Sequence, residues 1–514
     1  MKYANAKMLL AGGALSGLAA AQQQVTGDFT VLSMNVAGLP EILQGNDVPG
    51  DKTTNSRTIG SYFAKYNYDF INVQEVSNEF ISFSVLFPPV APLKRVDAEA
   101  TGCSVPCPSI AGDIHAWMLS LFQRTQSFCL APRRKRISEN GSLTENPQDF
   151  NYHAYIYETD KHPYRTATSG GVPFGSGLNS LSNYDWVEFE RVKWDTCSNA
   201  SGADCLTPKG FTFLRARLAE GVYVDVYNLH TDAGTEAGDL TARNSNLQQV
   251  ADYIDKWSAG NAVLVFGDTN SRYTRTSDRI RVFSEQNGMT DAWLQLQRGG
   301  VVPTEESICS NPSSTNWCET VDKAFYRGNA VLNLDATYYG YESEKFLQND
   351  GSILSDHNPI TANFTWNLGT TLRQSDFSGG PHGEPFSDLP ALAGKSKPKA
   401  SVLTFRGQNR LDSVGLTLAD GTSFAHGGSG GNQATLTLGA NEFWTSAKIC
   451  QGQKDGRTRN FYIQATTSTG RTLAAGTSTS SCTTYTAPSG WQIVGFLGRA
   501  GDEVDRLGFA YAPQ

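Results

Sequence analysis

The 514-residue chain has no run of eighteen consecutive apolar residues, so nothing in it reads as a membrane-spanning helix. It has no excess of positive charge: 42 Lys and Arg stand against 50 Asp and Glu, a formal net charge of -8, which removes any general attraction for nucleic acid or anionic membranes. Only 18% of residues are charged and 39% are hydrophobic, and Gly (50 residues), Ser and Thr are plentiful. That composition excludes a disordered or fibrous chain and leans towards a β-rich globular protein with many loops. The length exceeds what one ordinary core accommodates, so two or three domains are expected.

The amino terminus carries Lys2 and Lys7, a short apolar stretch over 8–21, and Ala19-Ala20-Ala21 before Gln22. This order predicts a secretory signal at 1–21, hence a secreted, extracellular protein. Export makes disulfides the default for its nine cysteines. Cys197 with Cys205, Cys309 with Cys318, and Cys450 with Cys482 are the local pairs. Cys103, Cys107 and Cys129 leave an odd thiol, and all three fall in 76–148, a stretch without periodicity that interrupts an otherwise regular pattern. Val76-Ser77 can be encoded by a splice-donor sequence and Gln148 by the acceptor CAG. The segment is therefore read as a retained intron, the alternatives being a surface loop or a lid whose aromatics touch a membrane.

Four polar residues close short apolar runs of strand type, at 29–34, 70–73, 222–229 and 263–266. They are Asn35 in Leu-Ser-Met-Asn-Val-Ala-Gly, Glu75 in Asn-Val-Gln-Glu, His230 in Tyr-Asn-Leu-His-Thr-Asp, and Asp268, followed by Thr269 and Asn270. A polar residue at a strand's carboxyl end sits where α/β sheets present their sites. Ser355-Asp356-His357-Asn358-Pro359 adds an imidazole. Singly, each motif is a strand end, a turn or a hydrogen-bonded histidine. Together they supply hard-metal ligands, imidazoles and carboxamides, the equipment for hydrolysing a phosphate ester.

In this order the motifs resemble the endonuclease/exonuclease/phosphatase superfamily, over about 28–366. Val321-Asp322-Lys323-Ala-Phe-Tyr326-Arg327 is similar to the sphingomyelinase-like branch. The resemblance implies an α/β four-layer sandwich, two mixed β-sheets flanked by helices. It implies Glu75 and Asn35 as holders of Mg²⁺ or another divalent cation such as Mn²⁺, with Asp356 either completing the shell or fixing the neighbours of His357. His357 is then the general base and Asp322 its orienting acid. His230 donates to a phosphoryl oxygen, and Asp268 and Asn270, two apart on an extended turn, reach the water and the phosphate. Asp232 is a supporting residue, and Lys323 and His153 are substrate-facing candidates, His153 being otherwise an ordinary strand residue.

After Trp366, six short strands spaced by Gly-rich turns predict an all-β domain. Gly379-Gly380-Pro-His-Gly-Glu-Pro-Phe-Ser-Asp388, the His426 to Gly431 Gly-rich repeat and Gly501-Asp-Glu-Val-Asp505 resemble the jacalin-like lectins, which implies a β-prism. The carbohydrate site implied lies at Gly380, Gly501, Asp502 and Asp505. The expected organisation is a signal at 1–21, a hydrolase domain at 22–366, a linker at 367–378 and the lectin-like domain at 379–514. The expected function is a secreted, monomeric, metal-dependent phosphodiesterase, a sphingomyelinase-like phospholipase C before a deoxyribonuclease I-like nuclease, with surface carbohydrate as a second partner. An inert hydrolase domain attached to a lectin or toxin-like binding protein is the reading from another class.

Overall fold

The computed structural model describes residues 24–38, 48–76, 152–167, 175–202 and 204–514. The expected signal at 1–21 and nearly all of the suspected insertion at 76–148, with its three cysteines, lie outside the described residues. No helix among the described residues is long and apolar enough to cross a membrane.

The amino-terminal region is built on two six-stranded sheets. Its strands are β1 (Thr26–Gly38), β2 (Phe70–Val76), β3 (Tyr164–Arg165), β4 (Asn179–Ser182), β5 (Trp186–Lys193), β6 (Gly210–Ala219), β7 (Val222–His230), β8 (Val263–Asp268), β9 (Thr290–Asp291), β10 (Asp322–Arg327), β11 (Leu332–Tyr341) and β12 (Ile360–Leu368). One sheet has the order β11-β12-β1-β2-β4-β3 and the other β5-β6-β7-β8-β10-β9. Both are mixed: β1 runs parallel to β2, and β7 parallel to β8, while their other neighbours are antiparallel.

The alternation of side chains along β1 builds two cores at once. Phe29 and Val31 point between the sheets, into a cluster with Phe70, Val224, Val265 and Phe364. Leu32 and Met34 point the other way, against Ile59 and Phe63 of helix α1 (Lys52–Tyr66). Asp51 caps α1, accepting from the Thr54 amide at 2.8 Å. Helix α2 (Tyr152–Thr159) crosses α1 at Gly60, where a β-carbon would sit 2.2 Å from the Ile156 carbonyl oxygen. The long helix α3 (Ala237–Trp257) buries Leu247, Val250, Ala251 and Ile254, the i, i+3, i+4, i+7 stripe of an amphipathic helix, on the outside of the second sheet. Two short helices, α4 (Val282–Glu285) and α5 (Ala292–Gln297), precede β10.

The carboxyl-terminal region is all-β and has three antiparallel sheets, the β-prism arrangement. The first contains Trp491–Ala500 and Val504–Pro513, with Arg373–Gln374, Ser378–Gly379 and Glu384–Ser387 at its edges. The second is made of Ala400–Gly407, Leu411–Leu418, Ser423–Gly427 and Asn432–Thr437, the third of Trp444–Lys454, Arg457–Thr467, Thr472–Gly476 and Ser481–Thr486. Trp444 is fully buried between Phe405, Phe496 and Phe509 at the centre of the prism.

The two regions are locked together. Glu188 on β5 is 3% exposed and takes Arg499 at 2.9 Å, Arg506, and Arg215 at 3.5 Å. Asp376, in the expected linker, accepts from Arg217, from the Gly221 amide at 2.9 Å and from the Tyr223 hydroxyl at 2.7 Å. The segment joining the regions is thus pinned to the β5-to-β9 sheet of the amino-terminal region rather than free. Disulfides close Cys197–Cys205, Cys309–Cys318 and Cys450–Cys482.

Candidate active site

Strand register places three acidic or imidazole side chains in one row. The parallel β7–β8 pairing sets His230 beside Asp268, and the antiparallel β8–β10 pairing sets Asp268 beside Asp322. Cross-strand partners point to the same face, so the three converge. The opposite sheet contributes Asn35 and Glu75. Strict alternation along β2 would turn Glu75 towards α1 with Ile71 and Val73. Instead Glu75 adopts φ +59°, a left-handed conformation unusual for a non-glycine residue, and its carboxylate reaches the seam between the sheets. There Asn35 Nδ2 donates to Glu75 Oε1 at 3.0 Å and to Asp268 Oδ2 at 3.2 Å. Ser355 Oγ donates to the Asn35 carbonyl oxygen and accepts from the His357 amide at 3.0 Å, which brings the loop after β11 onto the same centre.

His357 lies between two carboxylates. Its Nδ1 is 2.9 Å from Asp322 Oδ2 and its Nε2 is 3.7 Å from Asp268 Oδ2. Burial works against the charged ring, but Asp322 and Asp268 outweigh it and hold the His357 pKa well above the ordinary range. Burial raises the Asp322 pKa, against the pull of His357, and also raises that of Glu75, against Lys209 and Asn35. For Asp268 burial is overcome by His357, His230 and the Asn270 amide, and its pKa is lowered. With two carboxylates facing one ring, the shared proton belongs on the imidazole. Asp268, Asp322 and His357 offer ligand atoms within 4.8 Å of one another, a group able to hold a metal ion.

His230 is neutral. Burial, and then the neighbouring Lys209 ammonium, push its pKa down to about 3. Lys209 Nζ lies 3.2 Å from His230 Nε2 and is paired with Asp204, inside the loop that the Cys197–Cys205 disulfide closes. An ammonium can only donate, so His230 Nε2 accepts from it. The cation next to Glu75 and His230 is Lys209, and in this arrangement His230 Nε2 accepts from it. Nothing in the sequence marked it, because a single lysine before a strand has no spacing signature.

Other candidates fall in varied places. Asp356 is exposed, at the rim of a cavity of about 190 Å³ lined also by Asp322, His357, Arg272, Thr320 and Ile308. Asp232 is buried, accepts from the Ser198 amide at 2.7 Å, and has a pKa raised by burial to about 6. Asn270 is not on an extended turn. It has φ +46° and its amide donates back to Asp268 Oδ1 at 2.9 Å, so the two side chains are related by a tight turn, with Asn270 Nδ2 directed at the Thr231 carbonyl oxygen. Lys323 does not face substrate. Being next to Asp322 on β10 it points to the opposite side, 2% exposed, with its ammonium on Glu319 at 3.2 Å and between the Tyr273 and Trp293 rings. His153 is in helix α2 rather than a strand. It is buried against Tyr157, burial lowers its pKa to about 4, and the described residues show no contact between it and the catalytic group.

In the prism, the Gly380 amide donates to the Asp505 carbonyl oxygen at 2.9 Å, which joins the two loops expected to hold sugar. Gly501 and Asp502 are exposed at the tip. The Asp505 carboxylate is 2% exposed and taken by Arg459, so the expected sugar-binding carboxylate is engaged internally.

Comparison with known proteins matches residues 138–319 to the Endonuclease/Exonuclease/phosphatase family 2 and residues 375–510 to the Jacalin-like lectin domain. Sphingomyelinases of Mycobacterium bovis and Mycobacterium tuberculosis are 41% identical over 224 residues, 42% of this chain and 44% of theirs. The chain thus spans less than half the length of these relatives. A mannose-binding jacalin-related lectin from Ananas comosus aligns with 28% of this chain and 99% of its own, at 21% identity and a TM-score of 0.25. A humanized Danio rerio (D. rerio) TDP2 aligns with 66% of this chain and 98% of its own, at 13% identity and a TM-score of 0.35.

Proposed function

We propose that this chain, an endonuclease/exonuclease/phosphatase family domain followed by a jacalin-like lectin domain, is a secreted, divalent-cation-dependent phosphodiesterase of sphingomyelinase type. The observation that carries the reading is the seam itself: Asp322–His357 at 2.9 Å beside the Asn35-bridged carboxylates of Glu75 and Asp268. His357 takes the proton of the attacking water, and Asp322 fixes the ring and stabilises its charged form. Asp268 orients the water, Lys209, held by the neutral His230, faces the phosphoryl oxygens, and Asn270 reaches them once its Nδ2 leaves the Thr231 carbonyl oxygen.

The donor set suits a hard cation such as Mg²⁺ or Mn²⁺, being carboxylate and carboxamide oxygens. Glu75 and Asn35 would hold it, with Asp356 from the rim. We favour this position over the Asp268, Asp322 and His357 group, because a cation there would break the Asp322–His357 hydrogen bond. When bound, the cation neutralises charge on the phosphate.

The identity of 41% to sphingomyelinases and the net charge of -8 favour a lipid ester over nucleic acid. The lectin-like region is assigned surface carbohydrate, bound by Gly380, Gly501 and the exposed Asp502, with Asp505 available only if Arg459 moves aside. The domain limits 22–366 and 379–514, a monomeric state and the retained-intron origin of 76–148 belong to the same reading. Purified protein with Mg²⁺, offered sphingomyelin vesicles and plasmid DNA side by side, tests it. Phosphocholine release with intact DNA supports it; nicked DNA with intact sphingomyelin makes the protein a nuclease, and inertness on both leaves a binding protein.

A further inference from the structure

Six large apolar side chains are exposed among the described residues, and three of them lie between positions 301 and 317: Val301 at 66%, Ile308 at 56% and Trp317 at 52%. This stretch joins α5 to β10 and is held as one unit. The Val301 amide donates to the Arg298 carbonyl oxygen at 3.1 Å, and the Arg298 guanidinium lies 3.8 Å from the centre of the Trp317 ring. The Cys309–Cys318 disulfide closes the loop, and the Cys309 amide donates to the Glu319 carbonyl oxygen at 3.3 Å. Ile308 lines the same cavity as Asp322 and His357. Isolated exposed apolar residues are ordinary, but here Val301 and Trp317 are both tied to Arg298, and Ile308, at the mouth of the His357 cavity, is joined to Trp317 through the adjacent disulfide, so the three are linked.

The surroundings of the patch identify its partner. Glu305 and Glu306 are exposed beside Ile308, with Arg272 paired to Glu306 and Arg298 stacked on Trp317. Both signs of charge ring the apolar tips, which complements headgroups carrying both signs and not a polyanion. Trp stacked with a cation is the amphipathic combination that settles at a water–lipid boundary. We propose that loop 301–318 docks this protein on a zwitterionic phospholipid surface, with Val301, Ile308 and Trp317 entering the interface and His357 facing the headgroups. This rests on the hydrolytic reading of the His357 cavity.

The test uses the full chain and large unilamellar vesicles of phosphatidylcholine and sphingomyelin, sedimented in EDTA so that no turnover occurs. Hydrolysis of the soluble diester bis(p-nitrophenyl) phosphate with Mg²⁺ is measured in parallel. Wild type is expected to sediment with the vesicles, and Val301→Asp with Trp317→Ala to partition at least about tenfold less while hydrolysing the soluble diester at the wild-type rate. Trp317→Phe is expected to keep vesicle binding, and Trp317→Asp alone repeats the test if the double variant melts early. Wild type that ignores vesicles, or a double variant that binds them as wild type does, overturns the proposal. Vesicle binding lost in the variant, with no soluble diesterase in either protein, supports the docking surface and removes the hydrolytic reading.

Discussion

Glu188→Gln is the sharpest perturbation of the join between the two regions. The carboxylate is buried among Arg215, Arg499 and Arg506, and despite a burial penalty these hold its pKa at about 2 against an ordinary 4.5. At 1.36 kcal/mol per pH unit, that difference is about 3 kcal/mol of favourable interaction in the folded state. It agrees with the ~3–5 kcal/mol lost when one partner of a buried ion pair is removed. The loss is not made good by the remaining groups. Arg215 keeps Asp225 at 2.7 Å and Arg499 keeps Glu190 at 2.9 Å, but Arg506 is left buried beside two other arginines. Calorimetric melting at pH 7 is expected to show Glu188→Gln destabilised by about that amount, with the prism melting ahead of the hydrolase sheets. A depressed carboxylate pKa stabilises above the unfolded value and ceases to as pH falls, so the difference from wild type should shrink below about pH 4.5 and vanish near pH 2. A variant within about 0.5 kcal/mol of wild type at pH 7, or a difference that persists at pH 2, refutes the reasoning.

Lys209→Met removes the cation beside His230 and Glu75 and should lower kcat by roughly 10²–10³, with Lys209→Arg recovering part of it; an unchanged kcat dismisses Lys209 from the site. His357 must be neutral to act as base and its pKa is raised by Asp322 and Asp268, so kcat/KM should climb with pH through a limb alkaline of ordinary histidine. Asp322→Asn should move that limb to lower pH in a rate profile. His230 and His153 are buried neutral, with pKa values lowered to about 3 and about 4, so the unfolded chain binds more protons and stability should fall as pH drops from about 6.5 towards 3. A urea midpoint flat across that window contradicts this. A chain lacking 76–148 should be at least as active as the full chain, and transcripts should be found without these codons; transcripts that always include them exclude a retained intron.

The strands of the candidate site were legible because each apolar run ends in its polar residue: β7 stops at His230 and β8 at Asp268. Parallel pairing then does the rest: β8 runs alongside β7 from Asp225 onwards, in a register that brings His230 level with Asp268. What could not be read is direction. Glu75 reaches the seam through a left-handed φ that no pattern encodes, whereas Lys323 is turned from it by ordinary alternation beside Asp322. His153 sits among tyrosines that suggest a strand, yet packing of α2 on Gly60 of α1 decides for a helix. In the prism, the turns and glycines were visible, but not the capture of Asp505 by Arg459, a contact across 46 positions.

Phosphocholine release from sphingomyelin vesicles in Mg²⁺, measured for wild type and for His357→Ala on the same day, bears most directly on the central claim. The account predicts turnover by wild type and a fall of about 10²–10⁴ on loss of the imidazole, with the melting temperature retained. Equal rates in the two proteins would contradict it.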